Sequence, residues 1–210
     1  MSELLVRTLA AMAMIALALI AAVLGGYVFA VLVAAAATMM YVEWSRLVRG
    51  WGVGWLVGGF LYALVPALAV LWIRELPDIG LSMVVWVFVI VWSTDIGAFF
   101  AGRAIGGPKL APSISPNKTV AGLIGGMVSA ALAGWAWADF SGIPSLFLWL
   151  AAPLALAAQA GDLFESGLKR RAKAKDSGTW LPGHGGLLDR LDGLVAVAPL
   201  TAIILAGMVQ

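Results

Sequence analysis

Four aspartates occupy positions where the surrounding sequence is almost entirely apolar. Asp95 lies inside one apolar run, and Asp162 lies near the end of another. Asp189 and Asp192 stand at the start of the last apolar run and, being three residues apart, share one helix face. Because a charged side chain in a membrane span is costly, such residues face a polar cavity or a partner. A structural hydrogen bond to a neighbouring helix is the alternative, and for Asp95 taken alone it stays open.

The spacing of three of these acids indicates metal-assisted phosphate chemistry. Asp162 closes one apolar run, Asp189 opens the next, and the loop between them leaves the membrane and returns. The carboxylates of Asp162, Asp189 and Asp192 are therefore expected at similar depth, beside lysines and arginines that would neutralise phosphate charge. Mg²⁺ takes hard oxygen ligands, commonly one or two carboxylates with phosphate oxygens and water. The pattern predicts Mg²⁺ held by Asp162 and Asp189, with Asp192 as a further ligand or a close neighbour.

The loop between Asp162 and Asp189 also carries groups suited to phosphate. Residues 182–186 include three glycines, which can turn backbone N–H groups toward an anion. His184 is a candidate proton-transfer group or phosphate donor, and a polar loop residue is the alternative. The basic residues within 169–175 could be a stop-transfer cluster, but their place between two acids favours phosphate binding. With one His and no Cys in the chain, multi-histidine metal sites, disulfides and Cys nucleophiles are excluded.

The composition places these residues in a membrane protein. Of 210 residues, 62% are apolar and 11% are charged, against roughly 45–50% and 25% in soluble domains. A soluble domain of this size has too little interior to bury so many apolar side chains. Seven runs approach the length of about 20 residues that a helix needs to cross the hydrocarbon core. These runs are residues 4–24, 27–42, 51–73, 79–101, 120–138, 145–163 and 191–208.

The basic residues predict the orientation of these spans. Of the 13 Lys and Arg residues, 12 fall on the cytoplasmic side when seven spans alternate from a cytoplasmic N-terminus, and Arg74 falls on the other side. This distribution follows the positive-inside rule. The prediction is an all-α polytopic membrane protein with an external C-terminus and an active site facing the cytoplasm. Residues 1–78 form about three N-terminal spans, and residues 79–210 form a catalytic region with functional cytoplasmic loops at 102–119 and 165–188.

Two stretches have the residue types and spacing of a known motif. The first stretch carries Asp95, Gly102, Arg103, Lys109, Leu110, Pro112, Ile114, Ser115, Pro116, Lys118 and Thr119. The second spans 27 residues and carries Ser166, Lys169, Arg170, Lys175, Asp176, Pro182, His184, Asp189, Arg190 and Asp192. Together they resemble the phosphatidate cytidylyltransferase (CDP-diacylglycerol synthase) family over about the last 55% of the chain. The N-terminal part is similar to the family in hydropathy and in Arg7 and Glu43. Within the part that carries the motifs, this chain has Ala121 where the family often has Glu, and Phe99 where it often has Tyr.

The resemblance implies transfer of the cytidylyl group from CTP to phosphatidate, which gives CDP-diacylglycerol and pyrophosphate for phospholipid synthesis. The catalytic residues it implies are Asp162, Asp189, Asp192, Lys175 and His184. The residues it implies for binding CTP and lipid phosphates are Asp95, Arg103, Ser115, Lys118, Ser166, Lys169, Arg170 and Arg190. It further implies a homodimer in the inner membrane of a bacterium, no nucleic-acid partner, and room for a monovalent cation beside Mg²⁺.

Two other functions fit part of this pattern. A different CTP-dependent membrane lipid enzyme, such as a polyprenol or diacylglycerol kinase or an archaeal-type lipid cytidylyltransferase, would use similar phosphate chemistry. A transporter for an anionic solute would line its pathway with Asp95 and Asp162. The transporter would also place basic residues along that pathway rather than in two loops on one side. Labelled CTP separates the three functions.

Overall fold

The computed structural model describes residues 3–180 and 185–208. This part of the chain forms seven helices and a two-stranded antiparallel hairpin. The helices are α1 (Glu3–Leu24), α2 (Gly26–Leu47), α3 (Val53–Arg74), α4 (Gly80–Ile105), α5 (Val120–Ser141), α6 (Phe147–Arg171) and α7 (Leu188–Met208). The strands are β1 (Lys109–Ala111) and β2 (Ser115–Thr119), between α4 and α5.

The helices α2 to α7 are the six elements that are long and apolar enough to cross a membrane within the described residues. The apolar helical segment Thr8–Leu24 in α1 is shorter, at 17 residues. The predicted all-helical, polytopic membrane protein is therefore confirmed. Six of the seven predicted spans meet the length and hydropathy that a span requires.

The helix α6 extends well past the apolar run that predicted it. The run ends at residue 163, but the helix ends at Arg171 because Glu165 and Leu168 are still buried against neighbouring elements. Three basic residues in its last turn also suit the negative end of the helix dipole. The prediction that the loop begins at residue 165 is therefore wrong, and Ser166, Lys169 and Arg170 lie on a rigid helix.

The loop predicted at 102–119 contains the hairpin, which the sequence analysis did not predict. In the hairpin, Lys109 pairs with Thr119 and Ala111 pairs with Ser115. The second strand leads directly into α5, where Thr119 Oγ1 accepts a hydrogen bond from Gly122 N–H at 3.0 Å and caps the helix. A polar stretch that looked irregular is thus ordered by a strand pair and a helix cap. The loop also begins later than the predicted residue 102, because α4 continues to Ile105.

The helices α4 and α5 pack closely because small residues line their interface. A Cβ atom at Gly126 would lie 2.9 Å from the Thr94 carbonyl oxygen, and one at Gly125 would overlap Ala101. Small residues let membrane helices approach until their backbones are in contact. This close pair is the wall of the bundle that carries Asp95.

Arg74 is the one basic residue that the charge count assigned to the opposite side of the membrane. Its Nε donates to the Ala22 carbonyl at 2.6 Å, and its Nη2 donates to the Val23 carbonyl at 3.2 Å. The last carbonyls of a helix have no intrahelical partner and favour a cation. Arg74 therefore has a structural role as the cap of α1, which accounts for the single exception.

Candidate active site

Acids from three helices form one cluster with a lysine from the hairpin. Lys118 on β2 forms an ion pair through Nζ with Asp162 Oδ2 on α6 and donates to Gln159 Oε1 at 2.9 Å. Asp95 on α4 and Asp192 on α7 both interact electrostatically with Asp162. We refer to Asp95, Asp162 and Asp192 as the acidic cluster. The structure thus brings together residues that the sequence placed on three different helices.

Two features of α6 hold the acidic cluster in position. Ser166, one turn after Asp162, donates from its hydroxyl to Asp162 Oδ1 at 3.3 Å. Gly161 allows α7 to approach, since a Cβ atom there would collide with the Asp192 carbonyl oxygen. The α6 backbone therefore sets both the orientation of Asp162 and the closeness of Asp192.

The hairpin is tied to the end of α6 at two points. Arg170 Nε donates to the Ile114 carbonyl at 3.0 Å, and Lys118 reaches Asp162 nearer the bundle. Arg170 was expected to bind phosphate, but in the structure one of its donors fixes the hairpin backbone. This contact explains how a residue from a polar loop comes to lie beside an acid in a membrane helix.

Asp189, in the first turn of α7, is the centre of a second group. Its Oδ1 lies 2.5 Å from Lys169 Nζ. Its Oδ2 accepts hydrogen bonds from the Ser177 N–H, the Ser177 hydroxyl and the Gly186 N–H, each at 2.9 Å. Four donors from α6 and the loop 172–187 therefore hold this carboxylate.

Glu165 lies between the two groups and was not among the predicted site residues. It is fully buried, and its Oε1 lies 3.0 Å from Lys169 Nζ. Its Oε2 has no hydrogen-bond partner among residues 3–180 and 185–208. Glu165 interacts with Asp192 of the acidic cluster and with Asp189 of the second group. The two groups are thus electrostatically connected through one buried carboxylate.

Glu43 on α2 is a further buried acid, and it caps the start of α7. Its Oε1 accepts from Leu187 N–H at 2.9 Å, and its Oε2 accepts from Leu188 N–H at 2.8 Å. Its Oε2 also lies 3.0 Å from the hydroxyl of Ser177. The first N–H groups of a helix lack intrahelical partners, and a carboxylate there is favourable. The signal was present in the sequence, because Glu43 directly follows an apolar run just as Asp162 ends one.

The glycine-rich loop was predicted to turn its N–H groups toward a substrate phosphate. In the described part of that loop, Gly186 N–H instead binds Asp189, and the next two N–H groups bind Glu43. Gly186 is required for this closeness, since a Cβ atom there would overlap the Ser177 hydroxyl. These N–H groups do bind anions, but the anions are the protein's own carboxylates. His184 lies outside the described residues, as do residues 181–183.

The remaining predicted residues lie at the same end of the bundle. Arg190 on α7 interacts electrostatically with Asp95. Arg103, in the last turn of α4, and Lys175, in the loop after α6, are exposed, and Ser115 is half-buried at the start of β2. The cationic side chains are therefore concentrated at one end, which is the distribution expected for an enzyme site rather than for a pathway across the membrane.

The predicted metal ligands, Asp162 and Asp189, are bound to two different lysines, Lys118 and Lys169. Among the described residues, no group of three or more His, Asp or Glu side chains is arranged to hold a metal ion. The arrangement is instead rich in hard oxygen atoms and short of positive charge. The three acids of the acidic cluster face Lys118 and Arg190, while Glu165 and Asp189 share Lys169.

Comparison with known proteins decides the family. The model of the cytidylyltransferase family matches residues 51–208, which include every predicted site residue. The chain belongs to the cytidylyltransferase family. The resemblance seen in the sequence is thereby confirmed, and of the site acids described above, only Glu43 lies outside the matched residues.

Several bacterial relatives in this family are named phosphatidate cytidylyltransferase. The chain is 47% identical over 173 residues to the protein of Brucella suis biovar 1, an alignment covering 80% of this chain and 62% of the relative. It is 44% identical over 137 residues to the protein of Bacillus subtilis, covering 64% of this chain and 51% of the relative. The chain therefore spans about three fifths or less of the length of these curated relatives.

Proposed function

We propose that this protein transfers the cytidylyl group of CTP to phosphatidate. The observation that carries the proposal is that two ion pairs, Lys118–Asp162 and Lys169–Asp189, place charged groups of the hairpin, α6 and α7 at one end of a membrane bundle. Such a site places charged groups for a nucleotide beside the bilayer that holds a lipid. The names of the relatives support the same reaction, since both are called phosphatidate cytidylyltransferase.

The reaction needs positioning and charge neutralisation more than covalent chemistry. A phosphate oxygen of phosphatidate attacks the α-phosphorus of CTP, and the bond from that phosphorus to the bridging oxygen of the β-phosphate breaks. The products are CDP-diacylglycerol and pyrophosphate. The attacking oxygen is already ionised, so no general base is required. In this proposal the cations of Lys118, Lys169 and Arg190 bind phosphate oxygens, as in other phosphoryl-type transfers.

We propose Mg²⁺ as the cofactor, because the site is rich in carboxylate oxygens, the kind of ligand that Mg²⁺ binds. Asp162 and Asp189 each already bind an ammonium group, so each is able to hold a cation. The acidic cluster, Glu165 and Asp189 carry more carboxyl groups than the three cations that face them, which leaves room for further positive charge. We propose Asp162 and Asp189 as the ligands, with Asp192 beside them. When bound, Mg²⁺ would neutralise charge on the CTP phosphates.

The expected homodimer, the inner bacterial membrane and the cytoplasmic site are parts of the same proposal. The orientation is supported by the side on which Lys and Arg residues collect, and by the capping role that explains Arg74. The bacterial origin of the relatives supports the membrane. The homodimer rests on family resemblance.

The test is transfer of label from CTP to lipid by the purified protein in detergent with phosphatidate and Mg²⁺. CTP labelled at the α-phosphate should place label in the lipid fraction, whereas CTP labelled at the γ-phosphate should release it as pyrophosphate. Label from the γ-phosphate in lipid would indicate a kinase, and no lipid label from either would remove the proposal.

A matched pair of variants makes this test specific to the site. Asp189→Asn removes one charge from the four-donor position, while Asp139→Asn removes the same charge from an exposed position at the far end of α5. The first variant should lose transfer, and the second should keep it. Equal loss in both would mean that the acids act through general charge rather than through the site.

A further inference from the structure

An apolar groove opens between α3, α6 and α7, next to the acidic cluster. Its volume is about 450 Å³, within the range of small-molecule sites. Small residues of α6 form its floor, namely Ala157, Ala160 and Gly161. Leu61 and Phe164 on its rim are about half exposed, so the groove faces the lipid-covered surface of the bundle.

Among the described residues that line the groove, Tyr62 alone has a polar side chain, and its hydroxyl lies beneath the groove surface. The Tyr62 hydroxyl oxygen is buried and has no hydrogen-bond partner in the described part of the chain. The Tyr62 ring packs against Trp44 and Phe164, at centroid distances of 4.9 and 5.6 Å, and these two rings also contact each other. An unsatisfied buried hydroxyl is costly, and most so in an apolar surrounding. A polar atom of a ligand would satisfy it.

The end of the groove near Tyr62 adjoins the charged site. Tyr62 interacts electrostatically with Glu165, Asp192 and Asp162. Gly161 on the groove floor directly precedes Asp162. A ligand in the groove would therefore place its polar end beside the acidic cluster.

The other end of the groove lies deeper in the bundle. Along α6 the lining runs from Phe164 to Ala157, seven residues of helix, or about 10 Å. On α3 the last residue that lines the groove is Pro66, and on α7 it is Pro199. Both are the lining residues farthest from the start of their helix, where the site lies. The groove thus runs from Tyr62, at the end nearer the site, toward the membrane centre.

We propose that this groove binds an acyl chain of the lipid substrate, with Tyr62 donating to the polar part of the same lipid. An acyl chain matches the apolar lining, and the headgroup of the same lipid would lie next to the unpartnered Tyr62 hydroxyl and the charged site. Because it names the place of the lipid in the proposed reaction, the inference rests on the proposed function. In this proposal Tyr62 is a substrate-binding residue, and Ala157 determines the length of the acyl chain that the groove accepts.

A second groove on the bundle offers a matched control. It is lined by α4 and α5 residues that include Ile124, Val128 and Leu132, with a volume of about 570 Å³. Its lining, too, is mainly apolar and faces outward, but none of its residues is a chain neighbour of an acid of the acidic cluster, as Gly161 is in the first groove. Bulk added there should not affect a lipid bound beside Asp162.

The experiment measures binding of phosphatidate without CTP. Labelled dioleoyl phosphatidate is bound to the immobilised, detergent-purified protein and competed with unlabelled dioleoyl or dihexanoyl phosphatidate. Ala157→Phe fills the deep end, so affinity for the dioleoyl lipid should fall about tenfold, the equivalent of roughly two buried methylene groups. Affinity for the dihexanoyl lipid should stay unchanged. Val128→Trp, which adds similar bulk to the second groove, should change neither.

The variant Tyr62→Phe tests the hydroxyl and keeps the ring packing. Affinity for phosphatidate of both chain lengths should fall about fivefold, as for one lost hydrogen bond. The melting temperature without lipid should not fall, because the hydroxyl has no partner to lose. A lower melting temperature with unchanged lipid affinity would make Tyr62 merely structural and overturn its assignment.

The outcomes separate this inference from the proposed function. Suppose that Ala157→Phe loses affinity for the dioleoyl lipid alone and that the wild type transfers no label from CTP. The groove would then be a lipid-binding site, but the proposed reaction would be wrong. Suppose instead that label transfer is normal and that Ala157→Phe, like Val128→Trp, binds both lipids as the wild type does. The proposed reaction would then stand, but the assignment of the groove as a lipid-binding site would be wrong. If Ala157→Phe does not fold, Ala157→Leu gives the same comparison with less added volume.

Discussion

Each of the two central carboxylates is paired with its own lysine, and this pairing shapes what a substitution at either will do. Asp162 holds Lys118, and Asp189 holds Lys169 together with three loop donors. Removing one member of such a partly buried ion pair leaves the charge of the other member uncompensated. The two positions therefore matter both for cation binding and for where the lysines lie.

Asp162→Asn and Asp189→Asn should each reduce cytidylyl transfer by several decades. Each variant keeps the size of the side chain but loses a hard anionic oxygen, and Mg²⁺ is bound through few protein ligands. The double variant should be little worse than either single one, because residues that act as a unit are not additive. The measurement is label transfer against Mg²⁺ concentration, with melting temperatures to show that each variant is folded. Near-normal transfer by either single variant at ordinary Mg²⁺ would take that residue out of the metal site.

Lys118→Ala should lower transfer by about one to two decades, since a charge-assisted hydrogen bond is worth about 1.5–3 kcal/mol. Lys118 already reaches the acidic cluster, whereas Lys173 is exposed in the loop after α6. Lys173→Ala is therefore the control and should leave kcat/KM nearly unchanged. If both variants lose activity equally, the cations act only as a diffuse field around the site.

Arg171→Ala should affect stability rather than transfer. The Arg171 guanidinium lies 4.5 Å from the ring centroid of Trp51 and 4.8 Å from that of Trp55. Such cation–π contacts contribute about 0.5–2 kcal/mol. The expected result is a lower melting temperature with an unchanged KM for CTP, measured on the same preparation. A raised KM with an unchanged melting temperature would place Arg171 in the substrate site instead.

At the scale of elements, the start of α7 is the point on which the site depends. Three other parts of the chain contact it or each other there. These are α2 through Glu43, α6 through Lys169 and the loop after α6 through Ser177. The Ser177 hydroxyl lies within 3.0 Å of both Glu43 and Asp189 but has one hydrogen to donate. A change at Glu43 is therefore transmitted to Asp189 through this serine and through the cap of the helix.

Glu43→Gln should destabilise the protein by about 1–3 kcal/mol, the cost of leaving buried donors unsatisfied. An amide has one accepting oxygen, so its NH₂ group would face at least one of the N–H donors that the carboxylate now accepts. The melting temperature should fall and kcat should fall with it. Ser177→Ala should have a smaller effect, and the double variant should show less than the sum of the two. Full additivity would mean that Glu43 and Ser177 do not act together.

Much of this element structure follows from the sequence, and the exceptions have physical causes. Hydropathy located α2 to α7 because a span must be apolar along its length. It ended α6 too early because burial of Glu165 and Leu168 depends on neighbours that are remote in sequence. The hairpin was missed because β1 has three residues and β2 has five, too few for a periodic pattern.

The site was predicted best where a charge interrupts an apolar run. Asp95, Asp162 and Asp192 were found by that rule and do lie together. The role of Glu43 was not foreseen, because its partners lie 134 to 145 residues away in the chain. The partners of Asp189 were not foreseen either, since loop N–H groups carry no signal in side-chain chemistry.

At the scale of the whole molecule, the cationic groups and the ends of the site helices collect on one side. The hairpin contacts the end of α6, and the loop after α6 contacts Glu43 near the end of α2. The connection between α5 and α6 lies at the other end of both helices, after Ser141 and before Phe147. This two-sided arrangement makes the orientation in the membrane directly testable in a chain without cysteine.

Single cysteines at Ser113, Thr179 and Ser145 should report that orientation. All three residues are exposed, the first in the hairpin, the second in the loop after α6 and the third between α5 and α6. Ser177 is unsuitable as a reporter, because it is buried and its hydroxyl contacts Asp189. In intact cells, an impermeant thiol reagent should label Ser145→Cys alone, and after permeabilisation it should label all three. The positive-inside rule sets this expectation, since the hairpin and the loop after α6 belong to the basic side. Labelling of Ser113→Cys and Thr179→Cys in intact cells, with Ser145→Cys protected, would reverse the orientation and place the acidic cluster outside the cytoplasm.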